Sequence, residues 1–242
     1  STLREARLIS ARMLSPAVRE LTLDPGEGFT FVAGQWVNLR LPRAPGAEGE
    51  QIVRAYSIAS PPRPDGTYDV AVTKVESGPM STWLHAVEPG TPITQSHAQG
   101  FFTLDERALE AGRPLLMIAT GTGISPLRSM LLALEATPPT VPIALLFGNR
   151  TEDDALYRDD FERLAAKWPR FVFAPVLSRA PSSWSGRRGH VQAHLVEMLG
   201  VLGGTNVDAY VCGLNRMVGD VRNLLRKEHG LERGRVHSER YD

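Results

Sequence analysis

Hydrophobic and polar positions follow two different rhythms along the 242-residue chain. Up to about residue 108 the rhythm is short. Segments 18–23, 36–41 and 68–75 mix strict alternation with β-branched or aromatic residues, which predicts half-buried strands. Turn clusters separate them: Asp24-Pro25-Gly26, the stretch from Pro42 to Gly49, and the stretch from Pro61 to Gly66. Short strands at this spacing predict a small all-β barrel, interrupted by one helix over 81–87 that Pro89-Gly90 ends. From residue 113 the rhythm changes. Solid apolar runs at 115–119, 143–147, 171–177 and 207–211 alternate with amphipathic helices over 127–136, 155–167, 190–199 and 216–229. Such alternation predicts an α/β doubly wound parallel sheet. The expected organisation is therefore two domains, 1–110 and 111–242, with the break near 108–114.

Composition narrows the function classes. Lys and Arg number 27, Asp and Glu also 27, so nothing global pulls the chain toward nucleic acid or a charged membrane surface. The longest apolar runs, such as Pro114 to Ala119, are strand-sized, so no membrane insertion is expected. Charges at Arg4, Glu5 and Arg7 occupy the place where a secretory leader needs an apolar core. The single cysteine, Cys212, allows no intrachain disulfide and points to a reducing, cytoplasmic setting. It also rules out a plant-type iron–sulfur cluster, which needs four thiolates. No metal site is expected. His190 and His194 have metal-ligand spacing on a predicted helix, but lack a third ligand, and solvent-exposed helix histidines are the better reading. Glu152-Asp153-Asp154 is expected to cap the helix that starts near Ala155.

The candidate chemistry lies in short motifs. Arg54-Ala55-Tyr56-Ser57 puts a cation, a flat aromatic and a hydroxyl within one strand, with Arg54 and Tyr56 on one face and Ser57 on the other. Taken alone it also fits an ordinary strand with Tyr56 in the core. Gly78-Pro79-Met80-Ser81 is a glycine turn leading into a helix, able to hold a pyrophosphate, with Ser81 as a phosphate ligand or an N-cap. Gly121-Thr122-Gly123-Ile124-Ser125-Pro126 joins a strand to a helix and lets backbone approach a phosphate. It is not the common dinucleotide fingerprint. Pro126 stands where a third glycine belongs, and Phe147-Gly148-Asn149-Arg150 follows the second strand where an acidic residue would bind a ribose. Ser178-Arg179, with Arg187 and Arg188 beyond a polar loop, suits a dianionic phosphate, the alternative being a solvated basic loop. Cys212-Gly213-Leu214-Asn215-Arg216-Met217 ends the fourth strand, at the sheet edge where ligands bind.

In this order the motifs resemble the ferredoxin–NADP reductase superfamily of flavoenzymes, over nearly the whole chain. The resemblance implies a six-stranded Greek-key barrel that binds FAD and an α/β domain that binds NADPH, with NADH as the lesser partner. It implies that Arg54 meets the flavin pyrophosphate, Tyr56 stacks on the flavin and Ser57 lies near its N5. It gives Gly78, Met80 and Ser81 to the pyrophosphate turn. Gly121, Thr122, Gly123, Pro126 and Arg150 fall to the nicotinamide nucleotide, and Ser178, Arg179, Arg187 and Arg188 to its 2′-phosphate. Cys212 and Met217 belong to the nicotinamide site, where the thiol packs beside the ring and is not a nucleophile. Relatives end on an acidic residue and, two positions on, an aromatic. Glu239 and Tyr241 stand there, the first near the flavin–nicotinamide stack and the second against the flavin's other face, while Asp242 is an addition.

The expected reaction is hydride transfer between NADPH and bound FAD, with Ser57, Cys212 and Glu239 at the reacting rings. Electrons would then leave singly for a separate carrier such as a ferredoxin or flavodoxin. Two alternatives stand: an NADH-dependent reductase component of a multicomponent oxygenase, and a flavin-binding electron-transfer or sensing subunit without reductase activity of its own. A monomer is the expected state.

Overall fold

The structure, a computed structural model, describes residues 2–241; Asp242 lies outside them. The chain forms two compact units, one running through Thr103 with Arg128–Ala133 added, the other made of Leu104–Leu127 and the chain from Leu134 on.

The first unit is a six-stranded antiparallel sheet. Its strands are β1 (Arg4–Ser15), β2 (Val18–Asp24), β3 (Trp36–Arg40), β4 (Val53–Ser57), β5 (Tyr68–Thr73) and β6 (Pro92–Gln95), in the order β4-β3-β6-β1-β2-β5. The outermost strands meet again through the bridge Ile58↔Val70 and the bond from the Ala59 N–H to the Asp69 carbonyl, 2.7 Å, which closes the barrel. Leu8, Leu21, Leu23, Val37, Leu39, Val70 and Ile93 point inward and are fully buried. Helix α1 (Pro79–Leu84) starts two residues before the predicted 81–87 because Pro79 fits the first helical position. Arg19 holds its far end by donating to the carbonyls of Leu84 (2.9 Å) and Val87 (2.7 Å). Period-two alternation is broken in β1 by register shifts near Leu8 and Met13, which is why pattern alone does not reveal that strand.

The second unit is a parallel sheet of β7 (Leu115–Thr120), β8 (Ile143–Asn149), β9 (Phe171–Leu177), β10 (Arg187–Arg188), β11 (Asp208–Leu214) and β12 (Val236–Tyr241), ordered β10-β9-β8-β7-β11-β12. The helices of this part of the chain are α2 (Glu106–Glu110), α3 (Ile124–Ala133), which belongs to the first unit from Arg128 on, α4 (Arg158–Lys167), α5 (Leu195–Val201) and α6 (Asn215–Asn223). Residues 115–119 are wholly buried, as a central strand covered on both faces must be.

Two helix expectations are corrected. Helix α4 begins at Arg158, because Tyr157 adopts a left-handed conformation (φ 60°). The acidic run forms its own tight turn, Glu152–Asp154, and reaches the helix only through the Glu152 carboxylate, which accepts from Arg158 at 2.8 Å. The expected helix over 190–199 is a tight turn, Val191–His194, continued by α5. His190 precedes it, exposed, and His194 is half-buried with its ring nitrogen 2.9 Å from the Arg188 carbonyl.

Candidate functional site

In the barrel unit, pairing of β4 with β3 sets Ser57 opposite Trp36, Tyr56 opposite Val37 and Arg54 opposite Leu39. Arg54 is exposed, and among the described residues it donates to the Val53 carbonyl, 2.9 Å, which leaves most of its guanidinium available. Tyr56 lies half-buried against the barrel core. Burial pushes its phenol up to about 12, against the pull of the Arg54 cation, so the ring is neutral at any physiological pH. Ser57 is buried at the strand's end.

The turn before α1 is tightly built. Ser77 takes a left-handed φ of 60°, and Gly78 is the residue that caps the helix. Ser81 sits one turn inside, so its reading as an N-cap is corrected. Its hydroxyl accepts from the Val75 N–H at 2.9 Å and pins the turn from beneath. A Cβ on Gly78 would press against Val75 and Ser81 at 3.1 Å, so the turn closes most tightly around a glycine. Met80 sends its side chain into the core, leaving only its backbone for a ligand.

The α/β unit has a topological switch point. From β7 the chain winds outward through β8, β9 and β10, then crosses to β11 and β12 on the other side. Ligands of open α/β sheets bind where this reversal leaves a crevice at the carboxyl ends. Both glycine motifs end there. Gly121 has φ 53°, Gly123 leads directly into α3, and Pro126 is buried in that helix. A Cβ on Gly123 would drive into the Cys212 backbone and within 2.8 Å of Gly213 Cα, and one on Gly213 would meet Met217 Cε at 2.6 Å. Gly123, Gly213 and Met217 thus pack the β7 turn against β11, with Thr120 also against Gly213. Thr120 is a site-building residue that the motif reading did not single out. A cavity of about 580 Å³, lined in part by Pro139, Trp168 and Phe171, holds none of the motif residues.

The basic residues divide. Backbone bonds from Ser178 N–H to the Asn149 carbonyl and from Arg179 N–H to the Arg150 carbonyl, each 2.9 Å, bring the ends of β8 and β9 together. Arg150, Ser178 and Arg179 are exposed there. Arg187 and Arg188 are engaged elsewhere. Arg187 forms a two-pronged pair with Glu197, with Nε 3.0 and 3.2 Å from its two oxygens. Arg188 gathers the carbonyls of Ala180, Pro181, Ser182 and Trp184 and so shapes the loop between β9 and β10.

At the switch point Cys212 is fully buried. Parallel pairing of β11 with β12 sets Cys212 opposite Glu239 and Leu214 opposite Tyr241. Burial pushes the thiol well up, the Glu239 charge pushes it further, and a hydrogen bond with Tyr241 offsets part of this. The thiol stays protonated, as a packing group and not a nucleophile requires. The α/β unit offers a glycine turn, exposed cations for a phosphate and a neutral thiol beside a carboxylate. These are fittings for a dinucleotide.

Comparison with known proteins agrees with that geometry. Residues 5–104 match the oxidoreductase FAD-binding domain family and residues 117–223 the oxidoreductase NAD-binding domain family. Ferredoxin–NADP reductase B of Sorangium cellulosum is 48% identical over 98% of this chain and 97% of its own length. The reductase component of a phenol 2-monooxygenase from a Pseudomonas species is 34% identical over 85% of this chain, which spans 56% of that longer protein. A solved ferredoxin NADP+ reductase from Neisseria gonorrhoeae has the same fold, with a TM-score of 0.84 over 99% of both chains at 23% identity.

Proposed function

The chain belongs to the ferredoxin–NADP reductase superfamily and is an NAD(P)H-dependent flavin oxidoreductase, and on that premise we propose that it draws electrons from NADPH and hands them singly to a ferredoxin or flavodoxin. The observation that carries the choice of nucleotide is the exposed Arg150, Ser178 and Arg179 at the ends of β8 and β9. Two guanidinium groups and a hydroxyl suit a dianionic 2′-phosphate. One thiol and no disulfide suit a reducing, cytoplasmic setting. Among the described residues no helix is long and apolar enough to cross a membrane.

Bound FAD supplies the acceptor for the hydride of NADPH and a store from which electrons leave one at a time. In this proposal Arg54 and the Gly78 turn hold its pyrophosphate, neutral Tyr56 packs on its ring, and Ser57 presents a hydroxyl to its reactive edge. Gly121, Thr122 and Gly123 hold the nicotinamide nucleotide's pyrophosphate by backbone, with Pro126 and Met217 fixing the turn. Cys212 packs beside the nicotinamide as an uncharged group, and Glu239 stabilises the positive ring that forms as the hydride leaves. Tyr241 closes the carboxyl end of β12. None of these groups trades a proton, because transfer between aligned rings needs geometry above all.

The test is NADPH-dependent reduction of cytochrome c with and without added ferredoxin or flavodoxin. A carrier that multiplies the rate about tenfold or more, as productive docking would, supports the reading. A rate indifferent to either carrier, or faster with NADH, counts against it. Likeness to the phenol 2-monooxygenase reductase component keeps one second reading, an oxygenase reductase, which predicts coupling to an oxygenase in place of a small carrier.

A further inference from the structure

Strand β12 is the edge of its sheet and has a ladder partner on one side only, β11. Its seat therefore depends on side chains as well as backbone. On one face Arg222 of α6 donates to Ser238 Oγ at 2.8 Å. On the other, His237 lies flat on Tyr210, ring centroids 4.5 Å apart and planes 13° from parallel.

Next to that stack is a buried, half-satisfied carboxylate. Asp208 is 1% exposed, and its Oδ2 accepts from Arg113 Nε at 2.6 Å. Its Oδ1 is buried with no hydrogen-bond partner. His237 Nε2 is likewise buried without one, and the two atoms face each other at 3.5 Å. The groups around the imidazole are Asp208 and Tyr210 of β11, with Arg113 behind the carboxylate. Asp105 lies behind the phenol, its N–H donating to Tyr210 Oη at 2.8 Å. Burial holds that phenol up at about 12, so it stays neutral. Asp208 is thus the anion that His237 meets. A buried acceptor left short of a donor is costly, and a donor carrying positive charge satisfies it best.

We infer that His237 is a positioning residue whose protonated ring, bonded to Asp208, draws the edge strand β12 onto β11 and so sets where Glu239 and Tyr241 stand beside Cys212. Glu239 and Tyr241 follow His237 at two and four residues, on the same alternation of the strand. The consequence for turnover rests on the proposed nicotinamide role of Cys212, Glu239 and Tyr241; the seating itself does not.

Cys212, the one cysteine of the chain, is a built-in reporter. The experiment labels it with methyl methanethiosulfonate in the FAD-loaded protein across the range in which imidazoles titrate. Wild type is compared with His237→Phe, which keeps the stack but not the donor, and His237→Gln, which restores a neutral donor. The ratio of variant to wild-type rate removes the rise in thiolate with pH that the two proteins share. For His237→Phe that ratio is expected at about tenfold near pH 6, falling toward unity near pH 8.5, as a charge-assisted bond is lost. His237→Gln is expected to bring it most of the way back to unity near pH 6. Turnover with NADPH is measured in parallel, with kcat of His237→Phe expected several-fold low and KM little changed. Labelling ratios near unity at all pH, or a raised ratio that neither depends on pH nor responds to Gln, overturn the inference. Labelling as expected with unchanged kcat keeps the seating and sinks the nicotinamide-site reading instead.

Discussion

Cys212 and Glu239 stand opposite each other in the parallel register of β11 and β12, a fully buried thiol beside a carboxylate. The pair explains why the chain's one cysteine is chemically quiet. Burial first and the Glu239 charge second both disfavour a thiolate. The thiol fills space beside the glycine turn without offering a nucleophile to whatever binds there.

Cys212 is therefore expected to resist iodoacetamide at about pH 8, reacting about a hundredfold or more slowly than a free thiol. Unfolding in guanidinium should restore the ordinary rate. Labelling of the folded protein at the speed of an exposed thiol would show the site open.

Gly123 and Gly213 are close-approach glycines, so a methyl group has nowhere to go. Gly123→Ala is expected to cost about 1–3 kcal/mol of stability, the range for overpacking a tight contact. It should also weaken NADP+ binding. Thermal denaturation and a flavin difference-spectrum titration measure the two. A substitution silent in both would mean the β7 turn has slack that the geometry denies.

Among the basic residues, Arg179→Ala is expected to raise the Michaelis constant for NADPH by about ten- to a hundredfold, the worth of a charged hydrogen bond to phosphate, while barely changing that for NADH. Arg187→Ala should matter less, because Arg187 is bound to Glu197. The order of these two effects is the informative result. A larger loss at Arg187 would reassign the 2′-phosphate.

Much of this was legible in the chain. The solid apolar run at 115–119 reads as a buried strand, and Gly123 and Gly213 sit at strand ends where a Cβ would collide with its neighbours. The basic residues look alike in the sequence. Composition cannot show that Glu197 takes Arg187 or that four carbonyls enclose Arg188. Helix starts were misread where a single backbone angle decides them, as at Tyr157. The facing of Asp208 and His237 joins residues far apart in sequence and left no local signal.

Stability of the barrel should fall in acid through Asp69. Burial works against its ionisation, but hydrogen bonds from Arg63 (2.6 Å) and Thr22 (2.8 Å), with Arg128 nearby, outweigh it and hold the carboxyl below its usual range. A depressed folded value means the stabilisation is present above the unfolded pKa, about 3.9, and fades as pH falls below it. Asp69→Ala is expected to cost about 3–5 kcal/mol near neutrality, because it leaves Arg63 and Arg128 without their anion. Urea titrations at neutral and acid pH should show the gap between wild type and variant closing in acid. A gap independent of pH would remove the ion cluster from the account.

The most direct test of the central claim is an anaerobic absorbance titration of the purified protein with NADPH and, separately, NADH. The account predicts a flavin spectrum near one FAD per chain that bleaches with a stoichiometric amount of NADPH and more slowly with NADH. A colourless protein that takes up no FAD, or a yellow one that neither nucleotide bleaches, would contradict it.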